Sequence, residues 1–144
     1  MEISPKAMTV KEFFQQDRFA TLNDMELVEW GSGYAKTRLT VAPKHCNAVG
    51  FCQGGAIFTL ADLAFAVAVN SHGTVTVATN STITFIRSAK LGATIFAEAR
   101  EIVNHHRLPY AEIRVTDDEE NLLAVITTTG YRKEGQTMEF NDLK

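Results

Sequence analysis

Residues 54–69 read GGAIFTLADLAFAVAV, a run in which Asp62 is the only charged side chain. Placed on a helix, the run is apolar on all sides, and such a helix has to be covered nearly all round. It is shorter than the ~20 residues that a membrane-spanning helix needs, and it carries a carboxylate near its centre. We therefore predict a buried central helix that ends near residues 70–73, where Asn and Gly are typical stop signals.

Two features of this helix indicate chemistry. Burying an isolated ionised carboxylate costs roughly several kcal/mol unless it has partners or a task, so Asp62 requires an explanation. Gly54 and Gly55 begin the helix and leave unpaired backbone N–H groups at its positive end, which suits a carbonyl oxygen or an oxyanion. The spacing from Gly54 to Asp62 corresponds to about 12 Å along a helix axis. A twofold partner is therefore a natural source of the remaining wall of a site.

The composition limits the classes of protein. With 144 residues, the chain fits one domain, which we expect to span residues 1–144. Its net charge of −3 is scattered, without the basic stripe of a nucleic-acid-binding protein or a polybasic membrane anchor. The N-terminus lacks a basic region followed by an apolar stretch, so we expect no secretion signal and a cytoplasmic location.

The rest of the chain predicts a polar helical segment and about six strands. The helical segment lies at residues 9–17, and the strands lie at residues 25–30, 34–41, 74–86, 94–103, 110–115 and 122–131. Short links favour antiparallel pairing of consecutive strands. The predicted architecture is α+β, with a curved antiparallel sheet wrapped around one long helix. The last dozen residues are polar, and we expect them to be loosely ordered.

Cys46 and Cys52 are the only cysteines, and they do not form paired Cys-x-x-Cys units. His45 lies beside them, but no fourth ligand follows at a recognised spacing, so we expect no metal site. The spacing predicts two small thiols that stay reduced.

Three stretches together carry a resemblance to a known family. They are residues 45–55 (HCNAVGFCQGG), 60–66 (LADLAFA) and 82–92 (TITFIRSAKLG). They resemble the hotdog-fold thioesterases, in particular the phenylacetic-acid-degradation type of acyl-CoA thioesterase, over most of residues 25–131. The resemblance implies hydrolysis of acyl-CoA thioesters, with coenzyme A as part of the substrate and no metal or redox cofactor. It also implies a homo-oligomer, a dimer or a dimer of dimers (homotetramer), with each site at a subunit interface.

The resemblance implies a role for each matching position. Asp62 would be either the general base that activates water or the nucleophile that attacks the thioester carbon, and the sequence leaves both open. The Gly54 N–H would polarise the thioester carbonyl, and Asn47 would hold the lytic water or the carboxylate. The family usually has His where this chain has Gln53, which keeps hydrogen-bonding capacity but cannot act as an acid at neutral pH. We expect the Gly54 contact to survive this change and turnover to be slow.

The expected substrate contacts are Gly55 and three cations near the coenzyme A phosphates: Arg87, Lys90 and Arg107. Aromatic and short or medium aliphatic acyl groups both stay open, because one methylene changes discrimination by only ~1–3 kcal/mol. A non-catalytic acyl-CoA binding or regulatory protein is one alternative, favoured by Gln53. An enoyl-CoA hydratase or dehydratase is a weaker one, because His45 lies outside the helix and the proline-containing helix entry of dehydratases is absent.

Overall fold

The computed structural model describes residues 8–143, in which a curved six-stranded sheet packs around most of one long helix. The elements are α1 (Val10–Phe14), α2 (Arg18–Leu22), β1 (Glu26–Gly31), β2 (Tyr34–Thr40), a 3-10 turn (Pro43–His45), α3 (Gly54–Asn70), β3 (Thr74–Phe85), β4 (Thr94–Val103), β5 (Tyr110–Asp117) and β6 (Leu122–Thr137). The strand order is β1-β2-β4-β5-β6-β3, and all neighbours are antiparallel. The predicted α+β hotdog architecture is confirmed.

The α3 helix is buried against the sheet along most of its surface. Leu60, Ala64 and Phe65 are almost fully buried, and the Thr37 hydroxyl donates to the Leu60 carbonyl over 2.9 Å. No helix among residues 8–143 is both long and apolar enough to span a membrane.

One face of α3 stays open in the single chain. We call it the α3 stripe, and its members recur at helical spacing: Gly55 and Asp62, which are exposed, and Thr59 and Ala66, which are partly exposed. The expectation that the helix is covered nearly all round is wrong for this stripe, because the chain's own sheet covers only the other faces.

The C-terminal end of α3 is fixed by side-chain hydrogen bonds. The Asn70 Nδ2 donates to the Ala66 carbonyl over 2.7 Å, and its Oδ1 accepts from the Thr76 N–H over 2.8 Å. The Ser71 hydroxyl donates to the Ala68 carbonyl and accepts from the Gly33 N–H. These bonds join the end of the helix to the start of β3 and to the β1–β2 turn, so that the predicted stop signal is confirmed.

A buried ion pair lies near this end of α3. Arg132 Nη2 and Glu101 Oε2 are 3.0 Å apart, and only 8% and 4% of these side chains are exposed. Arg132 also donates to the Asn104 side chain and the His105 carbonyl, and the second Glu101 oxygen lies 2.9 Å from His72 Nε2. This pair connects β4 to β6 across the edge of the core.

The last strand is longer than predicted, and the segment after it is packed. Met138 and Phe140 are buried, and the Phe140 ring lies 5.4 Å from the Phe13 ring, edge to face. The Asp142 carboxylate accepts from the Val10 N–H over 2.9 Å. The prediction of loose order for the last dozen residues is therefore wrong for residues 138–142, because α1 supplies apolar and polar partners to this segment. Lys144 lies outside the described residues.

The β3 strand forms one edge of the sheet. Among residues 8–143 it pairs only with β6, so beyond Thr76, whose backbone bonds to the Asn70 side chain, its other side presents unpaired backbone groups. The strand reads TVTVATNSTITF, without a charge, and Val77 and Phe85 on it are 40% and 52% exposed. A long, uncharged edge of this kind is suited to pairing with another strand.

Candidate active site

The first amide of α3 is the centre of the candidate site. The Ala56 and Ile57 N–H groups bond to the Gln53 carbonyl, but no acceptor for the Gly54 N–H is found among residues 8–143. This donor lies at the positive end of a 17-residue helix, where the helix dipole favours negative charge. The Gly54 N–H can therefore donate a hydrogen bond to an oxygen atom that gains negative charge during a reaction.

A groove of about 400 Å³ opens beside this amide. Its lining residues come from the start of α3 and the end of β3: Cys52, Gly54, Ile57, Phe85, Ile86, Arg87 and Ser88. A Cβ atom at position 54 would lie only 2.8 Å from Phe85 Cζ. Glycine at this position therefore lets the Phe85 ring approach the helix end closely, and the sequence did not indicate this contact.

Gln53 caps the helix. Its backbone is extended (φ −66°, ψ 138°), and its Oε1 accepts from the Gly55 N–H. The Gly55 amide is thus already occupied, which reduces its value as the substrate contact expected from the sequence. Since the cap occupies the second amide, the Gly54 N–H is the donor that stays available.

Asp62 lies two turns further along α3, on the α3 stripe. Its carboxylate is exposed in the single chain, contrary to the buried position predicted from the sequence. The surrounding protein still raises its pKa by desolvation, and the charge of Asp17 adds to the increase. No hydrogen bond joins the Asp62 carboxylate to any residue in the range 8–143. The carboxylate is thus exposed, without a donor to hold it, and more basic than an ordinary aspartate.

Asn47 organises the loop that precedes α3. Its Oδ1 accepts from the N–H groups of Val49, Gly50 and Phe51 over 3.0–3.1 Å. The Asn47 N–H also donates to the Phe51 carbonyl over 2.7 Å. The side-chain oxygen is thus used for the turn, and no hydrogen bond links Asn47 to Asp62 in the described part of the chain.

The three predicted cations do not lie together. Arg87 lines the groove beside Gly54, and it shares a smaller cleft with Lys90. The β4 strand begins near the N-terminal end of α3 and runs toward the C-terminal end of α3. Arg107 follows β4 and therefore lies near the C-terminal end of the helix. The 17 residues of α3 separate these two ends by about 24 Å. Within one chain, the structure brings Arg87 and Lys90 to the site and leaves Arg107 at the other end.

A second groove, of about 380 Å³, borders the other side of the helix start. Phe19 of α2, Met25, Gln53 and Thr59 contribute to its lining, and Phe19 is 67% exposed. Sequence reasoning assigned the region before Phe19 to a polar helix and assigned no site role to this side chain. No cluster of three or more potential metal ligands occurs among residues 8–143.

Comparison with known proteins gives consistent results. The sequence model of the family described as "Thioesterase superfamily" matches residues 49–124. A "Putative esterase" of Archaeoglobus fulgidus is 37% identical over 124 residues, which are 85% of this chain and 80% of that protein. "Acyl-coenzyme A thioesterase PaaI" of Escherichia coli is 29% identical over 119 residues, which are 83% of this chain and 85% of that protein.

Solved structures show the same similarity. The E. coli PaaI protein from the phenylacetic acid degradation operon superposes with a TM-score of 0.84 at 28% identity, covering 88% of this chain and 91% of that one. A Streptococcus mutans protein whose structure is bound to acetyl-CoA superposes with a TM-score of 0.75 at 26% identity, covering 80% of this chain and 91% of that one.

Proposed function

The chain belongs to the thioesterase superfamily, and from this premise we propose that it hydrolyses acyl-CoA thioesters to a free acid and coenzyme A. The observation that carries the proposal is the Gly54 N–H, which has no acceptor among residues 8–143 and lies at the positive end of α3. The thioester carbonyl oxygen accepts from this amide. Negative charge then develops on that oxygen as the carbon becomes tetrahedral, so the hydrogen bond strengthens in the transition state.

Asp62 supplies the second part of the reaction. As a general base, it takes a proton from water, the hydroxide adds to the thioester carbon, and the C–S bond breaks as the thiolate leaves and is protonated. As a nucleophile, its oxygen adds to the same carbon, the thiolate leaves, and water hydrolyses the resulting anhydride. Both routes need the ionised carboxylate, and its raised pKa makes it a better proton acceptor.

A second copy of the chain completes this site. About 12 Å of helix axis separate Gly54 from Asp62, so one chain cannot bring both to the same carbonyl group directly. The uncharged β3 edge and the exposed α3 stripe lie where a second copy can pair with the sheet and cover the helix. In the dimer, Gly54 of one copy and Asp62 of the other face one thioester. A dimer of dimers is compatible with the same contacts.

The coenzyme A portion binds beside the first groove. Arg87 lines that groove and Lys90 lies in the adjoining cleft, so both side chains are near enough to meet the nucleotide phosphates. Arg107 contributes only if another copy provides it, because it lies at the opposite end of α3. The binding of acetyl-CoA by the S. mutans protein supports a coenzyme A ester as the substrate class.

Gln53 supports a second candidate function, that of a non-catalytic acyl-CoA binding protein. Its side-chain oxygen is used to cap the helix, and its amide cannot supply a proton to the reaction at neutral pH. In such a protein, the Gly54 N–H orients the thioester carbonyl of a bound acyl-CoA, and the thioester is not cleaved. The two functions differ only in turnover, so one experiment separates them.

The experiment measures free thiol released from a panel of aromatic and aliphatic acyl-CoAs. Hydrolysis by the unaltered protein should fall at least about a hundredfold in Asp62→Asn, the lower end of what a positioned base contributes. Glu134→Gln, at an exposed position in the last part of β6, is the control and should retain full activity. If acyl-CoA binds but no ester in the panel is hydrolysed above buffer, the binding function replaces the enzymatic one.

A further inference from the structure

The two cysteines lie directly opposite each other in the loop before α3. Cys46 and Cys52 form an isolated antiparallel bridge, although their spacing alone predicts two independent thiols. The flanking bonds run from the Asn47 N–H to the Phe51 carbonyl and from the Gln53 N–H to the His45 carbonyl, each over 2.7 Å. The cysteines themselves exchange no backbone hydrogen bond. They therefore occupy the non-hydrogen-bonded type of pair, in which side chains point to the same side.

This geometry is compatible with a covalent link. Cα atoms in a non-hydrogen-bonded antiparallel pair are about 4.5 Å apart. Disulfides are found at Cα separations of about 4.4–6.8 Å. Rotation about the two Cα–Cβ bonds is then enough to bring the sulfurs together without moving the backbone.

We propose that Cys46 and Cys52 form a reversible intramolecular disulfide, a modification site in the loop that leads into α3. The inference goes beyond thioester hydrolysis and does not depend on it. The chain carries the pair as free thiols. His45, the neighbouring candidate ligand, has both ring nitrogens in hydrogen bonds, to the Ala42 N–H and the Asn23 carbonyl. That ring is therefore not available to join the thiols in binding a metal.

The environments of the two thiols set the order of the chemistry. Cys46 is partly exposed, whereas Cys52 is only 5% exposed and burial raises its pKa to about 11. Cys46 therefore reacts first. Its thiolate attacks a peroxide, the O–O bond breaks, and a sulfenic acid forms with release of an alcohol or water. The Cys52 sulfur then attacks the Cys46 sulfur, the S–O bond breaks, and the hydroxyl leaves as water with the Cys52 proton. The two thiols are oxidised and the peroxide is reduced.

The link closes a ring over residues 46–52, the segment that Asn47 organises and that ends just before the Gln53 cap. The disulfide thereby fixes the segment between the 3-10 turn and the start of α3. Cys46 lines the groove beside Phe19, so the disulfide is accessible from solvent. Small thiols can therefore reduce it again.

The test treats the reduced protein with hydrogen peroxide and counts free thiols over time. Trypsin releases residues 45–87 as one peptide that contains both cysteines, because no Lys or Arg lies between Lys44 and Arg87. We expect both thiols to disappear together, the peptide to lose the mass of two hydrogens, and dithiothreitol to restore it. Cys52→Ser should stop at a sulfenic acid on Cys46 that dimedone traps. Cys46→Ser should keep Cys52 reduced at least about tenfold longer than in the unaltered protein.

Three results would overturn the proposal. The first is survival of both thiols under peroxide, and the second is a disulfide that joins two chains instead of one. The third is direct passage of Cys46 to sulfinic acid in the unaltered protein at the rate seen in Cys52→Ser, because an adjacent resolving thiol has to intercept the sulfenic acid.

Discussion

The Gly54 amide can be removed with little change to the backbone, which allows its role to be tested directly. Proline is well accepted at the first position of a helix, where its missing N–H breaks no helical hydrogen bond. The preceding residue, Gln53, has φ −66° and ψ 138°, a conformation that suits a residue before proline. Gly54→Pro should therefore keep α3 intact and delete only the donor.

Gly54→Ala is the matched control. Both variants add a Cβ atom that would meet Phe85 Cζ at 2.8 Å, and the 52% exposed ring can move away in each. Only proline removes the N–H. Loss of one preorganised donor to a developing oxyanion lowers kcat by roughly a hundred- to a thousandfold, or about 3–4 kcal/mol. The proline variant should therefore turn over acyl-CoA a hundred- to a thousandfold more slowly than the alanine variant.

The assay is thiol release with the acyl-CoA that the unaltered protein hydrolyses fastest. Circular dichroism and thermal unfolding of both variants establish that α3 is still formed. Equal turnover numbers for the proline and alanine variants, with helix content preserved, would refute the reasoning, because they would show that the Gly54 N–H does not contact the reacting carbonyl.

Two further predictions concern ionisation and the buried ion pair. Because Asp62 acts when ionised, kcat/KM should rise with pH, with an acid limb above the ordinary aspartate pKa of 3.8. Asp17→Asn should move that limb to lower pH, and an unchanged limb would exclude the influence of Asp17. Since the folded-state pKa of Asp62 is raised, its ionised form opposes folding above that pKa. Asp62→Asn should therefore be at least as stable at neutral pH, and this difference should vanish below about 3.8. In urea unfolding, Glu101→Gln should cost about 3 kcal/mol because it leaves the Arg132 charge unpaired in a buried position. The control Glu98→Gln breaks two partly exposed 3.5 Å pairs, to Lys36 and Arg100, and should cost below about 1 kcal/mol; similar losses for both variants would contradict this account.

Most of the architecture follows from local sequence patterns. The apolar run at residues 54–69 and the strands rich in β-branched residues predict the helix and sheet because each pattern depends on neighbours within a few residues. The order of Met138 and Phe140 was not predictable in this way. Phe140 packs against Phe13, which lies near the other end of the chain, and a short polar segment does not reveal contacts at that distance.

The site was predictable as a set of positions and less so as a set of contacts. The sequence identified Gly54 and Asp62 but placed the carboxylate in the interior, because periodicity does not show which face of a helix the sheet leaves open. The Phe85 contact depends on how β3 returns along α3. The separation of Arg107 from Gly54 depends on the direction in which β4 runs relative to α3. Hairpin patterns in the sequence do not show this direction.

A backbone donor has a particular genetic consequence. Every residue except proline supplies an N–H at position 54, and a glycine codon becomes a proline codon only by more than one nucleotide substitution. No single-nucleotide missense mutation can therefore delete this donor. Such mutations act on position 54 only through the side chain that they place against Phe85. Mutation of the codon for Gln53 can thus change the capping side chain, while the Gly54 N–H at the start of the helix is inherited unchanged.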